Sequence, residues 1–428
     1  MNLLKTLGII KIYLKNKKKS ICSSDPVRID LFIVAALAVL LITPVIINSS
    51  IKAKVEAKKV SLSLSPRFGE VFGSEMTETL LREFKERYPD LQIQITGDPD
   101  ILIFDEGEFG VFAAEGALAK IDFYEEESPL FETDQQAVPL ASFMDMLFYN
   151  IDLLSAAGID RPPKTRDEFL ACAAAVSGGN SGAALSLGSA DRQALSRDIF
   201  SWIWAAGGNI EPAENSSQDS YVNNRAFIAD IDFFGALNRN KVLAPRVFET
   251  TGDQRLEEFA NGKIAMMIAS TRAIPFLRER MGDGAFGITA VPSSGNQPAG
   301  LGGKYGVCLS GIYAGLSADC EHPEEARNFL AFLAEKSPLL CAQLKAVPGK
   351  VSDLIPGDYV RDDPFYSKAW DIFESSEIVP GFSGRPGAQE YESAFLEELR
   401  VYFETERTAQ DTAAAIQKRW EIVPAVTE

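Results

Sequence analysis

Phe148 to Ala175 reads FYNIDLLSAAGIDRPPKTRDEFLACAAA. An apolar strand end runs into a polar pivot at Tyr149-Asn150, and Leu153, Leu154, Ala156 and Ala157 then mark a short helix. Gly158 is placed to take the left-handed conformation that ends it. Pro162-Pro163 forces an extended connector. Thr165 is placed to cap the next helix, and Glu168 three residues later completes a capping-box pattern. Two short helices are therefore held at a fixed angle behind the end of a strand.

On both sides of this stretch strands and helices alternate. Val60–Leu64 (VSLSL) and Leu91–Ile95 (LQIQI) alternate as strands, and Ser74–Arg87 between them is amphipathic. Such a βαβ order predicts a mostly parallel sheet. Ile101–Phe104 is a buried strand, Asp105–Glu108 reads as a polar loop, and Phe109–Leu118 as a short helix. Ala194–Ala206 and Asn224–Asn238 are aromatic-rich helices, and Ile264–Ala269 is an apolar strand. His322–Leu333, Glu390–Glu404 and Thr408–Arg419 complete the helical segments.

Composition narrows the function. The 428 residues have room for two or three domain-sized units. The formal charge is −18 and unevenly spread: residues 1–59 carry 11 Lys/Arg and 3 Asp/Glu, a net +8, leaving 31 and 57, a net −26. A body that acidic is a poor partner for nucleic acid. The single histidine, His322, argues against histidine-based zinc sites and histidine-dependent triads. There is no P-loop, HExxH, G-x-S-x-G or CxxC, so no enzyme is indicated. Cys172, Cys308, Cys320 and Cys341 allow three pairings and favour none. A calcium site from Asp98, Asp100, Asp105 and Glu106 is disfavoured, because Asp100 is expected to face its own loop.

Residues 31–48 form an apolar segment of near membrane-spanning length. Lys5, Lys11, Lys15, Lys17, Lys18, Lys19 and Arg28 precede it, which predicts a cytoplasmic basic leader over 1–30 and export of everything after the 49–59 linker. The leader is long for a secretory signal and no A-x-A site follows, so an uncleaved transmembrane anchor is favoured over a cleaved signal.

Several phrases carry a resemblance. YN-x-DLL-x-x-AG-x-x-x-PPKT-x-x-EF at 149–169, F-x-x-GK-x-AM at 259–266 and PE-x-A-x-x-FL-x-FL at 323–333 resemble family 1 extracellular solute-binding proteins, the maltose-binding-protein-like subunits of bacterial ABC importers. The resemblance spans about Val60 to Trp420. It implies an α/β, two-lobed periplasmic-binding-protein-like (type II) fold, here behind an N-terminal transmembrane helix. It assigns 60–142 and 271–318 to lobe 1 and 143–270 and 319–428 to lobe 2, with hinges near Ala141–Asp145, Ala269–Arg272 and Leu316–His322. It implies capture of a sugar or related carbohydrate on the outer face of the cytoplasmic membrane, a monomer, and ABC permease subunits as partners, with no cofactor and no metal. The alternative is a membrane-tethered ligand sensor or degenerate paralogue that signals to a membrane partner. Two departures stand out. Only Thr96-Gly97-Asp98-Pro99 separates two strands that a helix of some twenty residues separates in many relatives, and Arg272 stands where many sugar binders carry a stacking Trp. The second points to an anionic or smaller ligand.

Aromatic plates and hydroxyl-binding polar groups on loops facing a cleft are the chemistry a sugar binder needs. Phe68 and Glu70 follow the first strand, with core filling as the alternative for Phe68. Phe104, Asp105 and Glu108 end the third strand, with helix capping as the alternative for the acids. Phe143, Trp202, Trp204, Arg272, Gly303, Tyr305 and Arg385 complete the candidate set, and one of the two tryptophans is expected in the core.

Overall fold

One strand ties the molecule together. In the computed structural model, which describes residues 60–121, 136–177, 192–208, 210, 222–295, 305–347, 358–385 and 387–423, β5 runs unbroken from Ala137 to Asn150. Nearly every side chain along it is buried, on both faces, which is what a strand inside two packed layers requires. Its first part, Ala137–Met144, pairs antiparallel with β8 (Gly306–Ser317). Its last part, Asp145–Tyr149, pairs with β6 (Met266–Ser270), and Leu147–Asn150 also pairs with β7 (Phe286–Thr289). β5 passes from one sheet to the other between Met144 and Asp145. Pro139 has no N–H to give the ladder, and the register shifts between Pro139 and Ala141.

The first lobe is built on β1 (Val60–Leu64), β2 (Leu91–Ile95) and β3 (Ile101–Asp105), in the order β2-β1-β3-β8, with the short β4 (Leu118–Ala119) also paired to β8. The trimmed connection has a visible consequence. Without a crossover helix β3 cannot return alongside β1; it starts where β1 ends, and only Leu64 and Ile101 pair. Asp100 locks this stagger, its carboxylate accepting from both the N–H and the hydroxyl of Ser63 at 2.7 Å.

Two assignments of chain to lobe are corrected. Helix Pro323–Leu344 was expected in lobe 2, yet Phe329, Leu330, Phe332 and Leu333 sit in the first-lobe core with Leu62, Phe84 and Leu140. Residues 271–289 were expected in lobe 1, yet Leu277, Phe286 and Ile288 pack with Phe148 and Met267 of the second-lobe sheet. Leu316–His322 therefore joins two first-lobe elements and is no crossing. The other crossings are β8 itself, bonded to β9 (Glu377–Pro380) at one end and to β3 and β5 at the other, and Val347, whose N–H and C=O pair with Ser142 before the chain re-enters the second lobe.

The second-lobe core lies between its sheet and the helices Arg166–Ser177, Arg192–Ala205, Arg225–Arg239, Ala388–Glu404 and Ala409–Trp420. Local signals in the opening stretch hold. Asn150 caps the helix Ile151–Ala156, accepting from Leu153 N–H at 2.9 Å, and Gly158 has φ +75°. Thr165 accepts from Glu168 N–H, but the Glu168 carboxylate turns to Lys164 N–H and the Arg161 guanidinium, so the capping box is half formed. Cys172, Cys308, Cys320 and Cys341 are all free thiols. The apolar span 31–48 lies outside the described residues; among those described, no helix is long and apolar enough to cross a membrane.

Candidate functional site

Asp105–Glu108, expected as loop, is instead the start of a helix. The Asp105 carboxylate accepts from Gly107 and Glu108 N–H at 3.1 Å, and the Glu108 side chain accepts from Asp105 N–H at 3.0 Å. The helix Glu106–Ala114 thus begins with a full capping box. Arg67 reaches the same corner from the helix Arg67–Phe72, binding Asp105 at 3.0 Å and also Glu108.

The Glu106–Ala114 helix belongs to the first lobe and lies directly on the 381–385 turn of the second. A Cβ on Gly110 would stand 2.7 Å from Ser383 O and 2.8 Å from Arg385 O, and one on Gly381 would stand 2.5 Å from a Glu106 carboxylate oxygen. No side chain fits at Gly110 between the two backbones, nor at Gly381 against the Glu106 carboxylate. The structure therefore shows the lobes in contact. We expect Gly110→Ala to weaken that contact by about 1–3 kcal/mol, the cost of overpacking, and so to lower affinity for any ligand held between the lobes roughly 5- to 150-fold. Isothermal titration calorimetry of the variant, folded by circular dichroism, checks this.

Charged groups gather beneath the contact. Glu106 is 7% exposed, and among the described residues its Oε2 has no hydrogen-bond partner. Burial pushes it up to about 8, opposed by Arg197 and assisted by Asp145, Asp105 and Glu392. Asp145, at the point where β5 changes sheet, is raised by burial and lies 3.2 Å from Arg197 Nε. The charge of Asp145, more than any other group, holds Arg197 protonated. Ser196 and Ser383 both donate to Glu392, at 2.7 and 2.6 Å, which ties the second-lobe turn to its own core.

Arg272 follows β6 on a single 3-10 turn and is exposed. Its Cζ lies 5.6 Å from the centroid of the Phe143 ring. Desolvation pulls its pKa down, the Arg67 and Arg197 charges add to this, and Asp105 opposes it. Among the described residues its guanidinium has no ion-pair partner.

The candidate residues divide. Asp105, Glu108, Phe143, Arg272 and Arg385 lie at or next to the seam between the lobes. Tyr305 is 38% exposed and lines a cavity with Asp145, Ser201 and Cys308 that has room for little more than a water. Glu70 is exposed on the outer turn of its helix, and Gly303 lies outside the described residues. Phe68, Phe104, Trp202 and Trp204 are buried in the core, each at most 1% exposed. The Trp202 ring meets Phe169 edge-on at 4.7 Å and Phe233 at 5.0 Å. Arg67 and Arg197 were missed. Arg67 sits in the same SPRFGE segment as Phe68, and Arg197 is a cation inside an aromatic-rich helix; both are signals the sequence carried.

Comparison with known proteins agrees with this architecture. The family model for bacterial extracellular solute-binding proteins matches residues 88–338, more than half of the chain. A Brucella abortus protein described as a binding protein is 27% identical over 208 residues, 46% of each chain. An ABC transporter-binding protein of Deinococcus radiodurans is 24% identical over 259 residues, 57% of this chain and 58% of the relative. These matches thus span only about half the length of the curated relatives. Among solved structures, the cyclic α-maltosyl-1,6-maltose binding protein of Arthrobacter globiformis has TM-score 0.69 at 17% identity, covering 85% of this chain and 98% of that one. Mycobacterium tuberculosis UgpB in complex with glycerophosphocholine has TM-score 0.64 at 19% identity, covering 86% and 98%. A solute-binding protein of Agrobacterium vitis with bound D-mannitol has TM-score 0.60 at 17% identity, covering 84% and 97%. The fold is the two-lobed α/β fold of these proteins, and the chain belongs to the bacterial extracellular solute-binding protein family, a family of binding proteins, not enzymes.

Proposed function

We propose that this chain captures a small hydroxylated solute between its two lobes, outside the cytoplasmic membrane, and presents it to the permease of an ABC importer. The observation that carries this is the seam itself. Backbone meets backbone at Gly110, the Glu106 carboxylate meets the backbone at Gly381, and charged groups from both lobes and a crossing strand converge beneath. A solute bound there touches both lobes only when they are together, so binding shifts the population towards the closed form. Cyclic maltosyl-maltose, D-mannitol and glycerophosphocholine, named with the similar structures, support a hydroxyl-bearing solute of modest size.

The 31–48 segment supports tethering to the membrane, and it also keeps a second reading open: a tethered sensor that reports occupancy to a membrane partner. Arg272 in the place of a stacking Trp favours that reading, because it departs from the sugar importers. Crosslinking of the full chain in membranes, with and without solute, separates the two. Solute-dependent capture of permease subunits supports import, and capture of a kinase supports sensing. A thermal-shift screen of the full chain over sugars, polyols and uronic acids tests capture itself. A true ligand at a hundredfold excess over Kd adds about 2.7 kcal/mol of apparent stability, and a melt unmoved by every solute contradicts the proposal.

A further inference from the structure

On the reading that solute binds at the seam, we propose that the ligand is an acid: a small hydroxylated molecule with one carboxylate or phosphate group, seated on the guanidinium of Arg272 above the Phe143 ring. The arginines differ in whether their charge already has a partner. Arg67 is committed to Asp105 and Glu108, and Arg197 to Asp145. Arg166 is committed to Asp230 and Arg278 to Asp363. Among the described residues Arg272 has no ion-pair partner, although two further guanidinium groups lie within electrostatic reach. Arg272 is exposed, yet partial desolvation and the like charges of Arg67 and Arg197 act on its guanidinium, so it gains more from an arriving anion than an arginine in open water does. The guanidinium fork suits carboxylate and phosphate, which it binds through two parallel hydrogen bonds. Phe143 supports the stem of the site: its ring is 3% exposed, and the guanidinium covers it.

The rest of the protein works against anions, and this sharpens the point. With a formal charge of −18, the chain repels acids at long range. Acid binding therefore has to come from a local device.

The test is calorimetric titration of the full chain with glucuronate and glycerol 3-phosphate as acidic probes and glucose and glycerol as their neutral counterparts. At least one acid is expected to bind at least tenfold tighter than its neutral counterpart, and which acid does so distinguishes carboxylate from phosphate. Arg272→Gln is expected to lose that preference, Arg272→Lys to recover part of it, and Arg400→Gln, a remote exposed arginine removed as a charge control, to keep it. Neutral probes binding as well as acids, or an acid preference that survives Arg272→Gln, overturns the inference and leaves solute capture standing. No binding of any probe or of a wider solute panel overturns both.

Discussion

Affinity for solute is expected to fall as pH rises from 5 to 8, and Glu106→Gln is expected to abolish most of that fall. Glu106 enters the seam from the first lobe and is buried against the second-lobe turn at Gly381. In the closed form burial raises its pKa to about 8, and Arg197 offsets only part of this. Asp145, Asp105 and Glu392 also face it and push in the same direction as burial. When the lobes part, the carboxyl meets water and returns towards its ordinary value of about 4.3. The closed form thus holds the extra proton between those two values, and closure takes up that proton. The contribution to closure is complete below the ordinary carboxylate value and is lost as pH climbs through about 8, by up to roughly tenfold per pH unit. The sign for folding is the same, because an unfolded chain also exposes Glu106. Arg197 stays charged throughout, and Asp145 lies on the crossing strand in either state, so neither supplies this slope. Titrations at pH 5, 6, 7 and 8 with a ligand that does not itself titrate there read it directly. A flat profile in the unmodified chain contradicts the burial of Glu106 on closing.

Trp202→Ala is expected to lower stability by about 3–5 kcal/mol. The indole is fully buried between Phe169 and Phe233, in a core that Arg166 crosses to reach Asp230 at 2.6 Å and the Trp202 carbonyl at 2.6 Å. Removing it leaves a cavity that this crowded surround cannot close. Urea unfolding is expected to show a lower midpoint with an unchanged slope. A variant of unchanged stability with lost solute affinity would return Trp202 to the ligand site.

That residue shows how far the sequence carries. Trp202 and Trp204 are two apart and point to different faces of one helix, which reads as one core and one cleft residue. Both are buried because the helix is covered on one side by the second-lobe sheet and on others by Ala388–Glu404 and its neighbours, a long-range fact no local window contains. Signals that act within a few residues were legible: the Asn150 cap, the left-handed Gly158, the βαβ start. Asp105 and Glu108 were legible only in part, since acids before an apolar run fit a loop or a capping box, and the Arg67 pair settles the geometry. The lobe assignments of 271–289 and 323–344 depend on which sheet a strand or helix joins across more than a hundred residues. Arg67 and Arg197 join the candidate site only through their ion pairs with Asp105 and Asp145. The seam at Gly110 and Gly381 lay beyond any pattern in the sequence, because each glycine is needed by a segment distant along the chain.

Solution X-ray scattering of the full chain, with and without a solute shown by calorimetry to saturate it, tests the two-lobe clamp most directly. The account predicts a smaller radius of gyration in the bound form, matching the contact between Glu106–Ala114 and the 381–385 turn, and a loss of that contraction in Gly110→Ala. Superimposable curves for free and saturated protein would contradict it.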